Sequence, residues 1–447
     1  MNAYWETPLA ETVRRSSTYA PHRTATSSMA QWLGSYKEDA PTSSNQGVAA
    51  MPFQRWFRFK EAFSPKFVAD TITDLPGKIE TCLDPFGGSG TSALTCRMLG
   101  ISSHTIEVNP FLADLIESKV TSLSGAQVAN DYDRIIRQLV VTDADHEVAQ
   151  GMPKTFLQTE HSERYVFETD VFAHARAINR SIETLPLATR RLLRVLLGST
   201  LVPNSNVVIN GKGRRYRRNW QDRRKTSGDL LRSLDDAVNA AVDDLVRYSV
   251  PPSGDVHNVL RGDARQMLRK VEKADVAILS PPYPNSFDYT DVYNVELWML
   301  GYLTSADDNK ALRGRTLRSH VQIKWGDDTK SRRSDAVMDT VRELQAIRSK
   351  LWNRNIPEMI AYYFDDLHSI FQEFKRILSI GQHAVVAIGD SRYGGKLIDV
   401  ATLLAAEIKP LGFELRDGRA MRSMRASSQH GGDFTLREHC LVFERTS

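Results

Sequence analysis

Hydrophobic and polar positions change rhythm several times along the chain. Residues 1–50 are rich in Ser, Thr and Ala with little periodicity; they predict a loosely ordered arm with a short helix near Met29–Tyr36. From Phe53 to Ile72 the pattern turns aromatic and apolar, and Ser64-Pro65 is placed to start a helix. Ile79–Leu83 is a short apolar run with the character of a strand buried on both faces. A glycine-rich turn follows, then a helix over Ser92–Leu99 and a second strand over His104–Val108 that ends at Asn109-Pro110. Strand, glycine turn, helix and strand in that order open a doubly wound α/β sheet.

The alternation then lapses for more than a hundred residues. Residues 120–255 read as a mainly helical insertion, with Leu230, Leu231, Leu234, Val238, Val242 and Leu245 on one helical face and Asp235, Asp236, Asp243 and Asp244 opposite. The α/β rhythm returns near Val256, and Val276–Leu279 is the next strand candidate. A second, basic insertion covers about 304–355. After it come a helix over Asp365–Leu378, a strand over His383–Ile388, a helix over Leu397–Ile408, and strands at Phe413–Arg416 and His439–Phe443. The economical reading is one α/β domain, 51–119 and 256–447, split by two insertions.

Composition narrows the class without deciding it. With 41% hydrophobic and 25% charged residues among 447, the chain is an ordinary globular sequence, and no apolar run approaches membrane-spanning length. The N-terminus lacks the order of a secretion signal and carries Glu6, Glu11, Glu38 and Asp39. Cys82, Cys96 and Cys440 have no C-x-x-C spacing and read as buried thiols of a reducing cytoplasm, not as a zinc site or disulfide frame; no metal site is expected. The net charge of +4 is mild, but Lys212, Arg214, Arg215, Arg217, Arg218, Arg223, Arg224, Lys225 and Arg232 crowd into one stretch. Interleaved with Tyr216 and Trp220, they suit a polyanion: basic side chains neutralise phosphates, and Arg reads guanine edges. Lys310, Arg313, Arg315, Arg318, Lys324, Lys330, Arg332 and Arg333 form a second basic stretch.

Two short segments carry the chemistry. In Asp84-Pro85-Phe86-Gly87-Gly88-Ser89-Gly90-Thr91, glycines let the backbone approach a ligand, and the helix that follows offers unpaired N–H groups. Glu107, 17 residues beyond Gly90, stands where a carboxylate can accept both hydroxyls of a ribose. A phosphate loop would carry Lys where Thr91 stands, and G-x-G-x-x-G is absent; a plain structural turn is the bland alternative for a glycine cluster alone. In Ser280-Pro281-Pro282-Tyr283, Ser280 offers an oxygen and Pro281 a free carbonyl in extended backbone, while Tyr283 offers a ring on which a planar group can stack. Phe287, Tyr289 and Tyr293 are candidate walls of the same pocket.

Asp84-Pro85-Phe86-x-Gly-Ser-Gly-Thr resembles the first motif of S-adenosylmethionine-dependent amino-methyltransferases of DNA, and Ser280-Pro281-Pro282-Tyr283 resembles the catalytic tetrapeptide of their cytosine-N4 group. The resemblance covers roughly 51–119, 256–303 and 360–445. It implies a Rossmann-like class I methyltransferase sheet with a terminal reversed β-hairpin, and S-adenosyl-L-methionine as cofactor. By the same resemblance Phe63-Ser64 helps hold the methionine end, Asp84, Phe86, Gly88, Gly90 and Thr91 form the cofactor loop, and Asp263 in Gly262-Asp263-Ala264 contacts the adenine amino group. Ser280, Pro281, Pro282 and Tyr283 are then catalytic, acting on a flipped base in double-stranded DNA. A carbon-5 mechanism needs a thiolate near Ser280, and no cysteine lies there. The expected function is a cytoplasmic, nucleoid-associated modification enzyme of a restriction or defence system, with a cognate endonuclease or other defence subunits as partners. Adenine-N6 methylation, an RNA target and a non-catalytic DNA-binding subunit are the alternatives. Residues 120–255 are the candidate recognition region, and Lys212, Arg214, Arg215, Arg217, Arg218, Trp220, Arg223 and Arg224 the candidate DNA contacts.

Overall fold

The structure, a computed structural model, describes residues 32–34, 47–59, 61–158, 163–210, 213–248, 254–322, 333–424 and 436–447. Its strands are β1 (Thr81–Asp84), β2 (Ser102–Glu107), β3 (Val207–Asn210), β4 (Gly213–Tyr216), β5 (His257–Arg261), β6 (Val276–Leu279), β7 (His383–Gly389), β8 (Ser391–Tyr393), β9 (Lys396–Ile398), β10 (Phe413–Met424) and β11 (Leu436–Arg445). Seven of them form one sheet in the order β10-β11-β7-β6-β1-β2-β5, and β3–β4 and β8–β9 are separate hairpins. β1 lies parallel to both β2 and β6, β2 to β5, and β6 to β7. β11 runs antiparallel to β7 on one side and β10 on the other. This is the expected Rossmann-like sheet with a reversed final hairpin. The chain winds outward from β1 to β2 and β5, then crosses back to β6 on the far side of β1. Strand order therefore reverses between β1 and β6, and in such sheets ligands settle outside the carboxyl ends at that reversal.

Helices cover both faces. On one, the helices Gly125–Arg137, Thr169–Ile182, Leu187–Leu201 and Ser227–Arg247 of the insertion share a continuous core with Trp56, Phe57, Leu94, Phe111 and Trp298. The insertion is thus packed into the domain, not appended to it. On the other face the helices Ile356–Ile377 and Val400–Ile408 pack on β6 and β7. Of the N-terminal arm, Trp32 and Val48 are buried in the first core, and the indole N–H of Trp32 donates to the Pro52 carbonyl at 3.1 Å. Most of the helix expected over Met29–Tyr36 lies outside the described residues.

Three expectations change. The helix expected from Asp365 begins at Ile356, because Met359, Ile360, Tyr363 and Phe364 continue its buried stripe one face further than an amphipathic pattern reveals. The helix expected from Leu397 begins at Val400. Lys396–Ile398 pairs with β8 instead, and the Asp399 side chain caps the helix by accepting the Thr402 N–H at 3.0 Å. Asp244, expected on a polar face, is fully buried and accepts from the Phe53 N–H, both Arg55 Nε and Nη2, and the Trp56 indole.

Candidate active site

β1 and β6 are adjacent, with Leu83 opposite Ala277, so the loops that leave them emerge side by side. They line one cleft of about 370 Å³, whose walls include Asp84, Phe86, Gly88, Thr91, Glu107 and Asp263 together with Ser280, Pro281, Pro282 and Tyr283. Two segments separated by nearly two hundred residues thus meet because the topology brings their strands together.

The first loop is built around two carboxylates. Asp84 accepts the Phe86 N–H at 3.0 Å and the Ser92 hydroxyl at 2.6 Å, which bends the chain from β1 into the helix Thr91–Leu99. Glu107, at the end of β2, accepts the Gly88 N–H at 2.7 Å and the Asn109 N–H at 2.8 Å. Burial pushes the Asp84 carboxyl up to about 6 and that of Glu107 up to about 7, against these hydrogen bonds. A cationic group or hydroxyl donors placed beside Asp84 and Glu107 would favour the charged form of both carboxylates. Gly90 caps the helix in the left-handed region, at φ 77°, and a Cβ there would press on Ile116 at 3.0–3.3 Å. Its role is close packing; Gly87, Gly88, Ser89 and Thr91 are the loop residues that face the cleft.

Neighbouring residues divide between wall and scaffold. Phe63 faces the cleft, whereas the Ser64 hydroxyl is fully buried and caps the helix Pro65–Asp74 by accepting the Phe67 N–H at 3.1 Å. Asp263 lines the cleft, but its carboxylate is already gripped by Arg265 at 2.7–2.8 Å, and Arg265 in turn binds Asp366 at 2.9 Å. Phe287 lines the cleft; Tyr293 packs one layer behind it, stacked on Phe59, and the Tyr289 side chain lies outside the described residues.

The second loop is held from three sides. The Tyr283 hydroxyl donates to Glu438 of β11, which also takes Arg422 of β10 at 2.6 Å. The Tyr393 hydroxyl donates to the Pro284 carbonyl at 2.8 Å. Ser286 sits in the left-handed region, at φ 59°, anchored by its N–H on the Ser319 carbonyl at 3.0 Å. A Cβ at Gly389 would come within 2.7 Å of the Tyr283 ring, so β7 carries glycine where the ring needs room. Replacing Glu438 by Gln is expected to loosen Tyr283 and lower kcat/KM for a substrate stacked on its ring by about tenfold, with affinity for a ligand held by the first loop unchanged. Steady-state kinetics beside calorimetry separates this from a general loss of fold, which would move both.

Sequence reasoning missed several of these supports. Glu438 and Arg422 lie in the terminal hairpin with no motif to mark them. Lys119 is fully buried and donates to the Ser89 carbonyl at 2.7 Å and to Gln54 Oε1 at 2.8 Å, tying the glycine loop to the segment before it. Burial lowers its ammonium to about 7. The only signal was a Lys in the last turn of the helix Pro110–Val120, beside the apolar Phe111, Leu112, Leu115 and Ile116.

The basic stretch is sorted by the structure. Arg215, Arg218, Arg223 and Arg224 are exposed. Arg217 instead donates to the Ser205 and Val202 carbonyls, at 3.0 and 2.8 Å, and Arg214 lies over the Phe156 ring. Trp220 is 5% exposed, packed edge-on against Tyr165, so its indole belongs to the interior and not to a contact surface. Lys212 lies outside the described residues. In the second stretch Arg313 pairs with Asp288, Arg318 with Asp366 and Arg333 with Asp365, which leaves Lys310 and Arg315 as its exposed cations among the described residues.

No protein-family profile matches the chain. It is similar to the Type II methyltransferase M.AvaI of Nostoc sp., at 27% identity over 405 residues that span 83% of this chain and 81% of that protein, and equally to the protein of the same name from Anabaena variabilis. It is also similar to the Type II methyltransferase M.BsoBI of Geobacillus stearothermophilus, at 25% identity over 442 residues, 87% of this chain and 85% of the other.

Proposed function

We propose that this chain is a site-specific DNA methyltransferase of a restriction-modification system, transferring methyl from S-adenosylmethionine to N4 of a cytosine turned out of the duplex. The observation that carries the proposal is the meeting of the two loops in one cleft at the strand-order reversal. The likeness to proteins named Type II methyltransferases, over more than four-fifths of the chain, supports the same reading.

The residues of the cleft fit S-adenosylmethionine. Glu107 is buried at the end of β2 where ribose hydroxyls can donate to it, Phe86 and Phe63 offer apolar walls, and the carboxylates favour a sulfonium. When bound, the cofactor supplies an electrophilic methyl group. The chain's own residues do the rest. An exocyclic amine is a weak nucleophile because its lone pair is delocalised into the ring. Oxygen acceptors directed at its hydrogens return density to nitrogen and stabilise the charge it gains as the new C–N bond forms. Ser280 Oγ and the Pro281 carbonyl are those acceptors, and Tyr283, braced by Glu438, gives the base a face to stack on. Holding both reactants in one cleft converts the encounter into an oriented, near-unimolecular step. A carbon-5 attack has no nucleophile here, since Cys82, Cys96 and Cys440 are all buried away from the lining.

Incubation with duplex DNA and labelled cofactor, followed by digestion to nucleosides, tests the proposal. Label is expected in N4-methylcytosine; label in N6-methyladenine would move the acceptor, and label in neither would reject the activity. Arg215, Arg218, Arg223 and Arg224 are the proposed phosphate contacts. Replacing all four by Gln is expected to weaken DNA binding and to reduce the slope of log affinity against log salt by about 0.9 per lost contact. Binding titrations between 50 and 200 mM salt give that slope; an unchanged slope would take this loop out of the interface. Arg217→Ala is expected to act on stability instead, by about 1–3 kcal/mol, because it strands two carbonyls.

A further inference from the structure

A second cavity, also about 370 Å³, lies beside the cleft, where the β3–β4 hairpin of the insertion faces the helix Asn294–Met299. Phe57, Val202, Ile209 and Tyr293 give it apolar and aromatic walls, and Arg58 and Arg217 lie on its lining. The two cavities are neighbours. Glu61 lines both, and Phe59 on the wall of the first stacks on Tyr293 of the second, with ring centroids 5.7 Å apart and planes 7° from parallel.

Glu296 is the feature that asks for a ligand. It lines this cavity, is 4% exposed, and its Oε2 has no hydrogen-bond partner. A buried polar oxygen left unmatched costs about 1–3 kcal/mol, and this one belongs to a side chain that lines a cavity. Burial raises its carboxyl to about 8, so the group is protonated at neutral pH. A protonated carboxyl sets an O–H donor beside a carbonyl acceptor. The Watson–Crick edge of a nucleobase likewise sets donor beside acceptor, and that edge is open when the base has left its pair. The cavity has the size and apolar lining of a small-ligand site. Across β3–β4, Val208 on the wall pairs with the exposed Arg215, which brings positive charge for a phosphate backbone to the mouth.

We propose that this cavity seats a second unpaired nucleobase of the DNA, next to the one being methylated, with Glu296 hydrogen-bonded to its Watson–Crick edge. The inference rests on the DNA methyltransferase reading given above. It makes the wall between insertion and catalytic loop a specificity element, reading a base by pairing chemistry outside the duplex.

The test uses the full chain and a duplex carrying its methylation site, located by sequencing DNA from cells that express the protein. Glu296→Leu should lower kcat/KM by about tenfold, and Glu296→Gln, which keeps a donor beside an acceptor, should stay within about twofold of the unaltered chain. Cofactor affinity should not change in either. Glu296→Leu should not lower Tm, since it removes a buried acid with an unmatched oxygen, whereas a purely structural Glu296 would give a less stable protein. An abasic nucleotide placed in turn at each position of the site should cost the unaltered chain about tenfold at one position beside the target, and cost Glu296→Leu nothing further there. Full activity in Glu296→Leu, or a loss equal at every abasic position, overturns the second base site and leaves the methyltransferase reading intact. Absence of DNA methylation by the unaltered chain overturns both.

Discussion

Ser280→Ala is expected to lower the single-turnover methylation rate by about 10²–10³-fold, the scale on which one oriented group at a developing charge acts. S-adenosylmethionine affinity should change by less than about twofold. The asymmetry follows from geometry. Ser280 leaves β6 on the catalytic side of the cleft, while the cofactor loop is fixed by its own bonds to Asp84, Glu107 and Lys119. The hydroxyl matters most once the amine nitrogen gains positive charge, so its removal raises the barrier more than it weakens the ground state. Rapid-quench turnover with saturating cofactor, beside calorimetry, reads both quantities. A collapse of cofactor affinity would mean that Ser280 belongs to the cofactor wall.

Glu107→Gln is expected to raise the cofactor dissociation constant by about 10²-fold, from the loss of charge-assisted hydrogen bonds worth about 3 kcal/mol together. The amide would also turn an N–H group toward Gly88 or Asn109, whose own N–H groups now donate to the carboxylate. The unaltered site carries a pH signature as well. Its carboxyl, ordinarily near 4.5, is raised to about 7 by burial, and hydroxyl donors and a nearby cation favour the ionised form. Binding therefore draws the proton off. Affinity should be full above pH 7 and fall as pH drops through 7, approaching tenfold per unit, with Asp84 adding to the fall near 6. Calorimetry from pH 5.5 to 8.5 should show this slope in the unaltered chain and a shallower one in Glu107→Gln. A flat profile in the unaltered chain would dissociate Glu107 from the cofactor.

The sheet was largely legible because its central strands are short apolar runs bounded by glycine, proline and acid. β1, β2 and β6 fall within two or three residues of where hydrophobic pattern places them. β5 was signalled only by the rhythm returning near Val256 and by Gly262-Asp263-Ala264 after it; an edge strand with no fully buried residue has no apolar run to mark its bounds. The cofactor loop and the proline tetrapeptide were legible for a different reason, since their chemistry is local to a few consecutive residues. What escaped was long-range support. Glu438 reaches Tyr283 across 155 positions, and the two meet through the β7–β11 pairing. Charge density in the arginine stretch was read correctly as density, but which guanidinium faces water depends on the β3–β4 hairpin. There Arg217 folds back on the carbonyls of its own insertion while Arg215 and Arg218 remain outside.

Asp244 gives the architecture an evolutionary consequence. One carboxylate from the long inserted helix Ser227–Arg247 collects four donors from Phe53, Arg55 and Trp56, and the chain runs from there to Phe59 and Phe63 on the cofactor's wall. A replacement for the insertion taken from another protein would need to bring its own acid to meet those donors. Exchange of the whole insertion is thereby penalised, and change by substitution of its exposed side chains is favoured.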